Sequence, residues 1–228
     1  MDAGRRAADA PPRARLNLSA VEGTLKSLQG ALEATDALPV PPRDTMDERV
    51  VENLLAAYAA VGGFIAEGLD LFAMGQLRNI LELNALVLCG TDPLRREMYN
   101  RHLEATEHRF YEEPGGGIRG VVEWYAGNKD GTVWERAAGV YVRTLGIPQL
   151  FIEGNHRTGA ILMSYVLLRD GEPPFVLSPG SAREYFAVSA ELRSLDRGGP
   201  VGLLRVAAVR QRLAALLLRH ADSRYLTP

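Results

Sequence analysis

Cysteine is nearly absent from this chain: Cys89 is the single one in 228 residues. One thiol excludes an internal disulfide and fits a reducing compartment. Its neighbours, Leu86-Val-Leu-Cys-Gly90, suit a buried packing thiol better than a nucleophile. An excess of charge of either sign is also lacking. A net charge of −2 and a pI near 6.1 give no bulk field for holding nucleic acid. No run approaches the ~18 or more consecutive apolar residues of a membrane span, and no apolar core follows Arg5 and Arg6 to make a secretory signal. A cytoplasmic protein without nucleic-acid or membrane partners is the expectation. Histidine is scarce, with four in all. His102 and His108 are six apart, a poor helical spacing for joint ligation, so no metal cluster is expected. No Gly-Lys-Ser/Thr follows Gly115-Gly-Gly117, which rules out a Walker-type phosphate loop.

What is present is helical periodicity. Hydrophobic residues make up 46% of the chain, enough for a sizeable core. Residues 1–15, rich in Ala, Arg and Pro, read as a disordered arm. Asn17 or Ser19 caps a helix expected to run to about Leu38, with Val21, Leu25, Leu28 and Leu32 on one face. Pro39-Val-Pro-Pro42 stops it as a stiff linker, which sets an N-terminal arm of 1–44 apart from a helical domain of 45–228. Further helices are expected from Asp44 or Thr45 to Gly62-Gly63, from Asp70 to Leu88, from Asp92-Pro93 to His108, and from Val133 to Leu145. A short helix over Ser181–Phe186 and a long one over Val201–His220 follow, with Arg205, Arg212 and Arg219 as the solvated stripe of the last. Between them, Phe110 to Arg119 contains a proline and three consecutive glycines and reads as a loop or hairpin. The last helix is rich in Ala, Leu and Val, which allows a homodimer surface as well as a core face.

Gln149-Leu-Phe-Ile-Glu-Gly-Asn-His-Arg157 carries the chemistry. It sets Glu153, Gly154 and Arg157 just ahead of an apolar helical run, Thr158 to Leu168. Unpaired N–H groups and the dipole at a helix start favour an anion, and glycine allows close backbone approach. Arg157 adds a bidentate clamp, and Glu153 a carboxylate for a magnesium ion travelling with phosphates.

The same stretch resembles the signature of the Fic family, His-x-Phe-x-Asp/Glu-Gly-Asn-x-Arg-x-x-Arg leading into a helix. Phe151, Glu153, Gly154, Asn155 and Arg157 match in register. Gln149 stands where the family has its catalytic histidine, and Ala160 where it has a second arginine. The resemblance implies a mainly α fold, a helical bundle with a small β-hairpin flap at 110–119 that holds a protein target by strand addition. It implies transfer of AMP from ATP with Mg2+ on Glu153, and a phosphate site lined by Gly154, Asn155, His156 and Arg157. Gln149 has no proton to exchange near neutral pH, so altered chemistry, or His156 serving as base, is expected. Loss of a positive charge at Ala160 makes other phosphorylated donors more plausible than a triphosphate. Leu18-Ser-Ala-Val-Glu-Gly23 partly resembles the family's inhibitory helix, which marks Glu22 as a regulatory candidate, expected as a vestige or as a partner of Arg157. A second expectation, from a different class, is a nucleotide- or partner-binding regulator, toxin–antitoxin-like, that transfers nothing.

Overall fold

The computed structural model describes residues 15–34, 46–112, 117–195 and 199–227. The arm at 1–14 and the Pro-rich linker lie outside them. Ten helices account for nearly all regular structure among the described residues: α1 (Leu18–Glu33), α2 (Glu48–Glu67), α3 (Arg78–Cys89), α4 (Pro93–Met98), α5 (Asn100–Glu112), α6 (Gly117–Gly127), α7 (Val133–Thr144), α8 (Asn155–Arg169), α9 (Pro179–Ser194) and α10 (Gly199–Arg219). The fold is mainly α, as expected.

α8 is the axis of the bundle. Eleven of its fifteen residues are buried, so it is apolar around most of its circumference, and it packs against α7, α2 and α3. The start of α1 is set by Asn17, whose side chain accepts from Ala20 N at 3.2 Å. α2 begins after Asp47, which accepts from Val50 N at 2.8 Å. Its end differs from expectation, because the helix continues through Gly62-Gly63 to Gly68, whose φ of 72° makes the left-handed cap. Two interior glycines cost about 1 kcal/mol each against alanine. Burial of Val61 and Ile65 on the inner face offsets that cost. α2 is also long and apolar enough to cross a membrane by composition alone; here it packs against α1, α3 and α8.

α3 starts eight residues later than the periodicity suggests. Asp70 is the reason: its carboxylate accepts from Phe72 N at 3.1 Å, diverting the backbone into turns, and Gly75 sits at φ 84°. Tyr165 fixes this turn from α8, donating to Leu69 O (2.8 Å) and accepting from Leu71 N (3.0 Å). α9 is longer than expected, opened by reciprocal hydrogen bonds between Ser178 and Ser181. α10 does expose Arg205, Arg212 and Arg219; Arg212 pairs with Glu191 and Arg219 with Glu184 on α9.

The 110–119 segment departs from the hairpin expectation. Phe110–Glu112 end α5 and Gly117–Arg119 open α6, leaving only 113–116 outside the described residues. Phe110 and Ile118 are buried, and that packing holds the end of α5 and the start of α6 on either side of residues 113–116. The described sheet lies elsewhere. Arg15–Leu16 (β1) pairs antiparallel with Leu226–Thr227 (β2), tying the two ends of the domain together.

Candidate functional site

The signature loop is held by two asparagines. Asn155, 5% exposed, accepts from Phe151 N (2.9 Å) and donates to Phe151 O (2.8 Å) and to Gln149 Oε1 (3.2 Å). It therefore closes the loop on itself at the point where the helix begins. Asn84, in the middle of α3 and 1% exposed, donates from Nδ2 to Glu153 O and to Thr158 Oγ1, each at 3.0 Å. Phe151 anchors the loop below, fully buried and stacked at 5.8 Å on Phe110.

Gly154 makes the turn into α8. Its φ of 77° is left-handed, and no side chain caps the helix there. A Cβ at this position would lie 3.0 Å from Asn84 Nδ2 and 3.2 Å from Leu88 Cδ2, so a side chain here would meet tight contacts on α3 as well as a strained backbone. The N–H groups of the first turn have no intrahelical acceptors by construction, and they carry the positive end of the helix dipole.

Around this turn the candidate residues separate. Arg157 makes one long hydrogen bond, 3.5 Å to Val87 O, and no ion pair among the described residues. His156 turns its ring toward α7: Nδ1 lies 2.9 Å from Tyr141 OH, which is itself 2.6 Å from Ser189 Oγ on α9. His156 and Arg157 share a cavity of about 70 Å³ under α8; Gln149 and Glu153 are not on its wall. Gln149 is instead tied into the loop, its side chain by Asn155 and its carbonyl by Arg109 Nε at 2.8 Å. Glu153 is exposed, with its carbonyl on Asn84.

Glu22 is not joined to the site. It pairs with Lys26 at 2.6 Å on the outer face of α1, and it makes no ion pair with Arg157. Cys89 is buried, and burial raises its thiol pKa, which agrees with a packing role. His108 is exposed on α5. Among the described residues no group of three or more His, Cys, Asp or Glu could hold a metal ion. A single exposed carboxylate fits a magnesium ion that keeps its waters and arrives on phosphates, and does not fit a dedicated protein cage.

Sequence reasoning missed Asn84, Arg109 and Tyr141. Asn84 left a signal, as a polar residue inside the apolar stripe of α3. Arg109 and Tyr141 left none, because their contacts span 40 and 15 residues.

No known family model matches the sequence. Among solved structures, the chain is similar to a fragment of Fic-1 from C. elegans, at 20% identity and a TM-score of 0.46. A single-substitution variant of that fragment aligns at 19% identity and 0.45. Each alignment covers 90% of this chain and 60% of the other, so this chain spans less than two thirds of the structures it is similar to.

Proposed function

We propose that the chain is a Fic-like transferase that holds a phosphate-bearing donor, a nucleotide such as ATP among the candidates, at the 149–157 loop. The observation that carries this reading is Arg157: a guanidinium in the first turn of α8, beside a glycine-capped helix start, engaged among the described residues by a long contact to Val87 O. A phosphate there meets backbone N–H groups, the helix dipole and a bidentate cation together. Asn155 and Asn84 keep that geometry in place before any ligand arrives, which lowers the ordering cost of binding.

Glu153 would hold Mg2+ through its exposed carboxylate, and the ion would neutralise charge on the phosphates it accompanies. Gln149 orients rather than exchanges protons: its carboxamide oxygen is engaged by Asn155 and the group does not titrate near neutral pH. Without a base there, transfer to an unactivated hydroxyl is slowed by about 10²–10⁴-fold. His156 has two ring nitrogens, and since Nδ1 is engaged by Tyr141 a base role for this residue would fall to Nε2. The engagement of Gln149 favours a second reading, a Fic-fold module that binds a phosphate ligand and transfers nothing.

Thermal shift of the full chain across ATP, ADP, AMP, other nucleotides and pyrophosphate, with and without Mg2+, tests the site. Stabilisation that disappears in Arg157→Ala is expected; no shift with any phosphate compound would refute the phosphate site. Covalent transfer by the native chain then separates the two readings: product supports the transferase, and a ligand-bound chain that forms none supports the binding module. In the latter case, AMP transfer switched on by Gln149→His assigns the silence to Gln149.

A further inference from the structure

The cavity under α8 has a chemistry of its own. α1 contributes Leu25 and Leu32 to its wall, α2 contributes Val50, α8 contributes Ala160 and Ile161, and α9 contributes Phe186. The hydroxyls that reach the wall are already engaged. Tyr58 donates to Phe175 O (2.6 Å), Tyr185 to His156 O (3.3 Å), and Ser189 bonds Tyr141 (2.6 Å). Besides these hydroxyls, its charged or titratable lining consists of His156, Arg157 and Arg193, with no aspartate or glutamate among the described residues. One water needs only about 10–15 Å³ together with two to four polar partners. At about 70 Å³ this space holds several water volumes but offers them few partners. An apolar group that carries an anion is the better complement.

We infer that the cavity binds the apolar part of an amphipathic phosphate ester, a short aliphatic or small aromatic group whose phosphate is held by Arg157. The inference rests on the reading of Arg157 as an anion ligand and names the class of compound that site takes. Burial of the apolar group displaces water from a wall it cannot satisfy, and the cations on the lining select the anion and fix its direction.

The test is calorimetric titration of the full chain with inorganic phosphate, ethyl, butyl and hexyl phosphate, and 1-hexanol. Affinity is expected to rise about fourfold per methylene until the cavity is filled. 1-Hexanol is expected to bind at least tenfold more weakly than hexyl phosphate. Ala160→Leu and Val50→Phe fill the space from two different helices. Each is expected to flatten the chain-length series while inorganic phosphate binding persists, and circular dichroism identifies which of them is folded. Equal affinity of the native chain for phosphate and all its alkyl esters overturns the inference and leaves the anion loop standing. A series that stays steep in a folded, filled variant also overturns it, because the alkyl group then binds elsewhere. Binding of 1-hexanol as tight as that of hexyl phosphate overturns the anionic half. Failure of every phosphate compound to bind removes the anion loop, and this inference with it.

Discussion

At Gly154 a single missing Cβ lets the loop lie on α3, and the same residue starts the helix that would receive the anion. Substitution by alanine meets both a left-handed φ and contacts of 3.0–3.2 Å with Asn84 and Leu88. Gly154→Ala is expected to cost at least ~1–2 kcal/mol from the backbone conformation alone, measured as a lower urea midpoint at unchanged m-value. Asn155 acts on the neighbouring turn, satisfying both the N–H and the carbonyl of buried Phe151. Asn155→Ala leaves these groups unpaired, and a loss of about 1–3 kcal/mol is expected. The same variant should lose ligand-induced stabilisation, since the loop then orders only on binding. Retention of the full thermal shift would show that the loop keeps its shape without the staple.

Between elements, α6 and α7 pack tightly at Gly139. Trp124 abuts this glycine, and a Cβ there would fall 1.7 Å from the indole Cη2. Gly139→Ala must therefore displace the ring, with an expected loss of about 1–3 kcal/mol and a red-shifted tryptophan emission. Helix ends offer a milder test. Glu135 closes the capping box of α7, and the backbone N–H and hydroxyl of Thr132 hold its carboxyl below the ordinary value. A lowered folded pKa contributes stability that is present above the unfolded pKa and lost as pH falls through the folded one. Glu135→Gln should accordingly narrow the stability difference between neutral and acidic pH, read from Tm measured from pH 7 down to pH 3.

Across the whole molecule, α1 is part of the core rather than a detachable regulator. Val21, Leu25 and Leu28 are at most 1% exposed, Thr24 hydrogen-bonds Tyr225 at 3.0 Å in the interior, and β1 pairs with β2. Leu28→Ala is expected to cost about 2–5 kcal/mol. Deletion of α1 should unfold the domain, seen as loss of the cooperative melt. A folded and more active deletion variant would support the inhibitory-helix reading of Glu22, which pairs here with Lys26.

Much of the architecture was legible in the chain itself. Caps such as Asn17 and Asp92 and the apolar stripes located most helices, because those signals act over three or four residues. The motif at 151–157 located the loop, since a glycine at a turn before an apolar helix is a local requirement. Local signals failed where distant partners outweighed them. α2 passes two glycines because Val61 and Ile65 bury on the bundle, and α3 starts late because Asp70 and Tyr165 hold the preceding turn. α5 runs to Glu112 and α6 starts at Gly117 because Phe110 and Ile118 reach the core. Only the tertiary structure decided what Gln149, His156 and Arg157 can do. It bound the first to Asn155, turned the second toward Tyr141, and set the third on the wall of a mainly apolar cavity, through contacts that no local spacing encodes.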